Sequence, residues 1–169
     1  MATRITASAY YGTHLAALMT VLGKTTGPCL EMGMGLFSTP YLHYACLLAS
    51  RHLTSYETAP SWAKFFTNYG YETDYHAICV VTNWDAADIE RPWDVALVDH
   101  DPSERRITDI KRLAHHARYI VVHDADPKFD RVYHYSRIYD LFRWRKVWDM
   151  EYRKTVVLSN FVDLADLWQ

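Results

Sequence analysis

The chain has 169 residues, half of them hydrophobic, and a formal net charge of −2. That length suits one domain with a sizeable core and is too short for two ordinary ones. The apolar content excludes general disorder, and the charge balance argues against a nucleic-acid-coating protein, although a local basic patch can hide in a balanced total.

In chain order, residues 6–22 read as a helix with Leu15, Leu18, Met19 and Leu22 on one face. The apolar run Leu15–Leu22 follows Arg4, but Tyr10, Tyr11 and His14 interrupt its approach, and no small-residue cleavage site follows. Residues 28–32 read as a strand that runs into glycines. Ser38 and Thr39 ahead of Pro40 suit a helix start, with a hydroxyl cap and proline in the first turn, and that helix runs to about Ala49. A strand at 52–57 and a helix at about 60–69 follow. The β-branched run 75–82 is a further strand, and the link 83–93 has room for one helical turn at most. A strand at 94–99, a helix at 104–117, a strand at 119–123 and a helix at about 131–143 come next. Two late strands, near 146–152 and 155–161, pair as a hairpin around Arg153 and Lys154.

Alternating strands and helices predict an α/β fold with a mostly parallel sheet, buried on both faces and carrying one antiparallel strand from the closing hairpin. Cys29, Cys46 and Cys79 lie in apolar segments and read as buried thiols, which points to a reducing, cytoplasmic setting. No stretch reaches the length of a membrane span. The aromatic stretch 133–148, interleaved with arginines, reads as core or interface in preference to a nucleic-acid surface. The segment Phe161–Trp168 is apolar enough to dock on its own domain or on a second subunit, which leaves a homo-oligomer open.

Ligands of such folds sit beyond the carboxyl ends of the strands. The segment there is Glu31-Met32-Gly33-Met34-Gly35-Leu36-Phe37-Ser38. A glycine pair permits a sharp turn and close backbone approach, and the following helix offers N–H groups to an anion. The alternative is a tight strand–helix turn with no ligand. A dinucleotide fingerprint needs a third glycine where Ser38 stands, which counts against a nicotinamide cofactor. Glu57, 24 residues beyond Gly33, ends the second strand, where a carboxylate can accept both ribose hydroxyls.

The segments LEMGMGLFSTP, SYETAPSW, WDVALVDHDPSERRITDI and YIVVHDAD, in this order and spacing, resemble the consecutive motifs of class I S-adenosylmethionine-dependent methyltransferases, nearest the small-molecule O-methyltransferase branch. The resemblance covers roughly residues 5–160. It implies one methyltransferase-like domain over 1–169, a Rossmann-like sandwich with a seven-stranded sheet, and an N-terminal helix, residues 1–22, covering the pocket. It implies S-adenosylmethionine as cofactor, with Glu31, Gly33, Gly35, Ser38 and Thr39 around its amino-acid end and Glu57 on the ribose. Asn83, Trp84 and Asp85 would lie near the adenine, with Trp62 as a second flank or as helix core, and Asp99 beside the methionine or the reacting centre.

Methyl transfer needs nucleophile, methyl and sulfur in line, and often a base for the nucleophile's proton. Asp99 and His100 end one strand, and His123 and Asp124 end the next, so two His–Asp pairs converge if the strands are neighbours. They read either as catalytic groups, with a histidine base oriented by a carboxylate, or as a hydrogen-bond network pinning loops. Asp99, Asp124 and Asp126 offer hard oxygen ligands for a divalent metal. Metal-dependent members of the resembling branch carry an acid or amide directly after the fifth-strand aspartate, where this chain has Ala125, so metal is not favoured. Arg105, Arg106 and Asp109 open the helix after the fourth strand and read either as supplying an arginine to an acidic substrate or the cofactor carboxylate or, more commonly for such a run, as a solvated helix start with an internal ion pair. The expected activity is methyl transfer to an oxygen or nitrogen of a small molecule. The alternative is a non-catalytic cofactor-binding or interaction protein of the same fold.

Overall fold

The computed structural model describes residues 7–168; the start of the expected 6–22 helix and of the 1–22 segment lies outside them. Seven strands form one sheet: β1 (Cys29–Met32), β2 (Leu53–Glu57), β3 (His76–Val80), β4 (Trp93–Val98), β5 (Ala117–Val122), β6 (Trp144–Trp148) and β7 (Thr155–Ser159). Their order is β3-β2-β1-β4-β5-β7-β6. Only β7 runs antiparallel to its neighbours, pairing with β5 and β6. The mostly parallel sheet with a closing antiparallel hairpin is therefore as expected. β2 and β3 lie on one side of β1 and β4 on the other, so the strand order reverses between β1 and β4, the place where such sheets open a crevice.

Alternation along the strands divides the core. Cys29, Val95, Leu97, Tyr119, Val121 and Val157 pack with α1 (Leu15–Gly23), α2 (Ser38–Leu48) and the C-terminal Leu164 and Leu167. Leu30, Met32, Ala96, Val98, Ile120, Val122 and Val156 face the opposite way, onto Ile110 and Leu113 of α4 (Arg106–Leu113) and onto Tyr133 and Tyr135. A third, smaller cluster joins Met34 to Ala63 and Phe66 of α3 (Pro60–Asn68). The C-terminal segment docks on its own domain, with the Trp168 indole N–H donating to the Val147 carbonyl at 3.1 Å. All three cysteines are free thiols. No described helix is long and apolar enough to cross a membrane.

Two helices differ from expectation. Residues 9–12 form a 3-10 turn, and α1 starts only at Leu15. The break falls at Thr13, whose hydroxyl is tied to His123 and to the Arg153 carbonyl across the sheet rim. Met19 of α1 is exposed, while Ala17, Leu18, Val21 and Leu22 face the core. The expected helix at 131–143 shrinks to α5 (Asp130–Tyr133). It stops at His134, which has φ 57°, and two 3-10 turns follow. A continuous helix would turn Tyr133 and Tyr135 to different faces. Here both are buried, stacked at 5.2 Å, and aimed at the end of β5.

Candidate functional site

A cavity of about 320 Å³ opens beyond the ends of β1, β4 and β5. Gly35, Leu36, Phe37, Ser38 and Trp62 form one side, and Tyr11 and His14 another. Asp99, Asp101, Arg106, His123, Asp124, Tyr133 and Arg153 complete it. The parallel register of β4 and β5 brings Asp99 and His123 together, as their sequence positions led one to expect. His123 Nδ1 lies 3.2 Å from Asp99 Oδ2.

The sequence reading missed the cation that organises this rim. Arg106 is not solvated: it is 4 % exposed. Its Nε donates to the His100 carbonyl at 2.6 Å, and its Nη2 lies 3.0 Å from Asp99 Oδ1. Burial alone would raise the Asp99 carboxyl pKa, but Arg106 and His123 outweigh it and hold the carboxyl well below its ordinary range. For His123, burial lowers and Asp99 raises, and the aspartate wins, so its pKa is raised. Asp124 has a left-handed backbone, φ 57°. Its carboxylate accepts from the Tyr133 hydroxyl at 2.8 Å and from Arg153 Nη1 at 2.6 Å. Asp126 sits elsewhere, accepting from the Lys154 backbone N–H, and does not line this cavity. The all-oxygen set Asp99–Asp124–Asp126 is therefore not assembled.

His100 also departs from the expected cluster. It is 1 % exposed, stacks on Trp84 at 4.1 Å, and lies 3.2 Å from Asp109 on the far side of the loop. It is not on the cavity wall, so the geometry withdraws it as a base. Arg105 pairs with Asp109 and with Asp85.

The expected adenosine residues fare unevenly. Gly33 has φ +88°, and a Cβ there would lie 2.6 Å from the His100 Cα. Glycine is required at this position to pass the β4 backbone. Gly35 and Ser38 do line the cavity. Ser38 does not cap α2, whose N-cap is Phe37 without a side-chain bond. Glu57 is spent on its own chain: Oε2 accepts from the Met34 N–H at 3.0 Å, and Oε1 accepts from the Thr58 and Ala59 N–H groups at 2.8 and 2.9 Å. With about four acceptor positions on a carboxylate, room for roughly one ribose hydroxyl remains, not two. The Trp62 indole donates to the Met34 carbonyl, which fastens the loop from the other side. Asn83 caps the 3-10 turn Trp84–Ala86, Trp84 is buried with its indole on the Asp101 carbonyl at 2.7 Å, and Asp85 is exposed. None of these three lines the cavity.

Glu31 and Thr39 lie beneath the loop, both fully buried. Ser55 Oγ donates to Glu31 Oε2 at 2.6 Å, so it must accept from His76 Nε2 at 2.9 Å. His76 Nδ1 is then the acceptor for His43 Nδ1 at 3.1 Å. Thr39 Oγ1 donates to Glu31 and accepts the Gly35 N–H at 2.9 Å. Every donor points toward Glu31, and the network is closed within the protein. Burial pushes the Glu31 carboxyl up to about 7.

No family model matches the chain, and no curated protein matches it in sequence. Solved structures do. The cofactor-bound Rv0187 protein from MTB superposes with a TM-score of 0.66 at 17% identity, covering 95% of this chain and 84% of that one. The N-methyltransferase NodS from Bradyrhizobium japonicum WM9 gives 0.62 at 12%, covering 88% and 94%. The human methyltransferase 10 domain containing protein gives 0.61 at 15%, covering 94% and 85%. At these identities the likeness establishes the fold: a Rossmann-like, class I methyltransferase sheet.

Proposed function

We propose that the chain is an S-adenosylmethionine-dependent methyltransferase acting on an oxygen or nitrogen of a small molecule. The observation that carries this reading is the cavity at the sheet's switch point, walled by Gly35, Asp99 and His123, in a fold shared with methyltransferases. The residues fit the methionyl half of the cofactor. Aromatic faces of Tyr11, Trp62 and Tyr133 and the Asp99 carboxylate suit a sulfonium cation. The adenosyl half fits less fully, since Glu57 offers one remaining acceptor position.

When bound, S-adenosylmethionine supplies an electrophilic methyl group. The protein's part is to hold the acceptor in line and to handle its proton. Arg106 fixes the Asp99 carboxylate, whose Oδ2 faces His123 Nδ1 at 3.2 Å, and a proton taken from the acceptor is held between these two atoms on the cavity wall. The restricted cavity volume supports a small acceptor. A second reading, cofactor binding without transfer, is favoured by the absence, among the described elements, of an inserted segment that would hold an acceptor.

Calorimetry with S-adenosylmethionine, S-adenosylhomocysteine and NAD tests the cofactor, followed by labelled methyl transfer to hydroxyl and amine acceptors. The adenosyl sulfur compounds should bind and NAD should not; binding of NAD alone sinks both readings. Asp99→Asn should cut transfer by about 10²–10⁴-fold, the scale of a lost proton-handling group, while retaining binding of S-adenosylhomocysteine. Tight binding with no transfer to any acceptor supports the second reading.

A further inference from the structure

The hydrogens around His123 can be assigned one by one. The Thr13 hydroxyl spends its single hydrogen on a backbone carbonyl, that of Arg153 at 2.9 Å. Thr13 Oγ1, 2.9 Å from His123 Nε2, can then only accept, so Nε2 carries the hydrogen. In the neutral ring, Nδ1 is left as a lone pair, and it faces another lone pair, Asp99 Oδ2, at 3.2 Å. Arg106 occupies the other oxygen of Asp99, which fixes Oδ2 as the one turned to His123.

A third lone pair belongs with these two. His14 is 1 % exposed, and neither of its ring nitrogens has a hydrogen-bond partner. Its ring meets that of His123 edge to face at 4.7 Å, and it lines the cavity. One nitrogen of His14, one of His123 and one oxygen of Asp99 all lie within 4.8 Å of one another. Two buried imidazole acceptors and a partly buried carboxylate that converge without a donor between them are costly unless a cation fills the gap.

We propose that His14, Asp99 and His123 form a binding site for a divalent transition metal. Two imidazoles and one carboxylate suit Zn²⁺, Fe²⁺ or Mn²⁺ better than Mg²⁺, which prefers an oxygen shell. Metal–ligand distances of about 2.0–2.2 Å require the widest pair to close by roughly 1 Å, a side-chain adjustment. Three protein ligands leave coordination positions open, and these would face the cavity. Thr13 on His123 Nε2 and Arg106 on Asp99 are the outer partners that orient the ligands. The site differs from the oxygen set of Asp99, Asp124 and Asp126, because its extra ligand comes from the start of α1. A proton on His123 Nδ1 is the competing occupant of the same gap. The test of the site does not depend on the methyl-transfer reading, since metal uptake is measured without cofactor or acceptor; with metal bound, His123 Nδ1 is a ligand and the proton role given to it above lapses.

The whole chain, stripped with chelator, is titrated with Zn²⁺ and with Co²⁺ as a spectroscopic substitute. One equivalent should bind, Co²⁺ should show visible d–d absorption, and Zn²⁺ should raise the melting temperature. His14→Gln, which retains the side chain's bulk, should weaken binding by more than the roughly 10–100-fold cost of losing an outer partner. Binding that is unchanged in a folded His14→Gln protein overturns the proposal. So does the absence of any binding by the wild-type chain. Should the variant not fold, imidazole NMR of the wild-type protein decides: Zn²⁺ must move the His14 and His123 resonances together, and resonances that stay put, with His123 responding to pH alone, overturn the site in favour of the proton.

Discussion

Two groups of buried polar side chains sit near the carboxyl ends of the strands, and they have opposite characters. Beneath the glycine loop, Glu31, Thr39, Ser55, His76 and His43 form a chain in which each donor has an acceptor. At the ends of β4 and β5, Asp99 and His123 face each other at 3.2 Å across a gap that a proton or another cation fills, and the ring nitrogens of His14 beside them have no hydrogen-bond partner. An acidic residue at a strand end therefore does not by itself mark a binding site. What marks it is hydrogen-bonding capacity left over after the fold has taken its share. By that criterion Glu57, with three of about four acceptor positions taken, stands nearer the closed group, and Asp99 belongs with the open one.

The comparison breaks most visibly at Arg106. Arg106→Met should cost about 3–5 kcal/mol in urea unfolding, because Asp99 and Asp124 would lose the cation between them. A loss below about 1 kcal/mol would mean that the rim carboxylates reach solvent and pairs of this kind contribute little there.

The pH dependence of the closed group sharpens it further. Burial raises the Glu31 carboxyl from its unfolded value of 4.5 to about 7. The folded state then holds the proton more tightly, so the contribution of Glu31 to stability is complete below about 4.5 and is lost as pH rises through about 7. His76, lowered to about 4 mainly by burial, has the reverse slope between about 4 and 6.5. The difference in stability between wild type and Glu31→Gln isolates the first: wild type should lose up to about 3 kcal/mol relative to the variant between pH 4.5 and 7. A difference independent of pH would show that Glu31 titrates normally. The smallest effect is expected for Ser55→Ala, about 1–3 kcal/mol from the bonds left unmet on Glu31 and His76. Because Ser55 does not touch the cavity, ligand binding should persist in this variant; its loss would make the closed group part of the site.

The sequence made the architecture legible because its signals are local and repeated. Apolar β-branched runs such as 75–82 and 94–99, separated by helical periods, define a mostly parallel sheet, and the glycine pair after β1 marks the switch point. It also paired Asp99 with His123, because strand ends that are neighbours in a parallel sheet bring their next residues together. The helix expected at 131–143 failed because Tyr133 and Tyr135 are both drawn to the end of β5, a demand that periodicity cannot register.

Composition and periodicity by themselves determined the α/β class with its mostly parallel sheet, and strand-end position placed Gly35, Ser38, Asp99, His123 and Asp124 of the expected residues on the cavity wall. Only the tertiary structure decided which of those residues still have bonding capacity to offer. Glu57 and His100 are turned inward by contacts with Met34 and Trp84, Arg106 is buried between two carboxylates, and His14 arrives from a distant segment. The physical reason is that hydrogen-bond saturation is a property of three-dimensional neighbours, whereas the pattern that builds a strand or a helix is written along the chain.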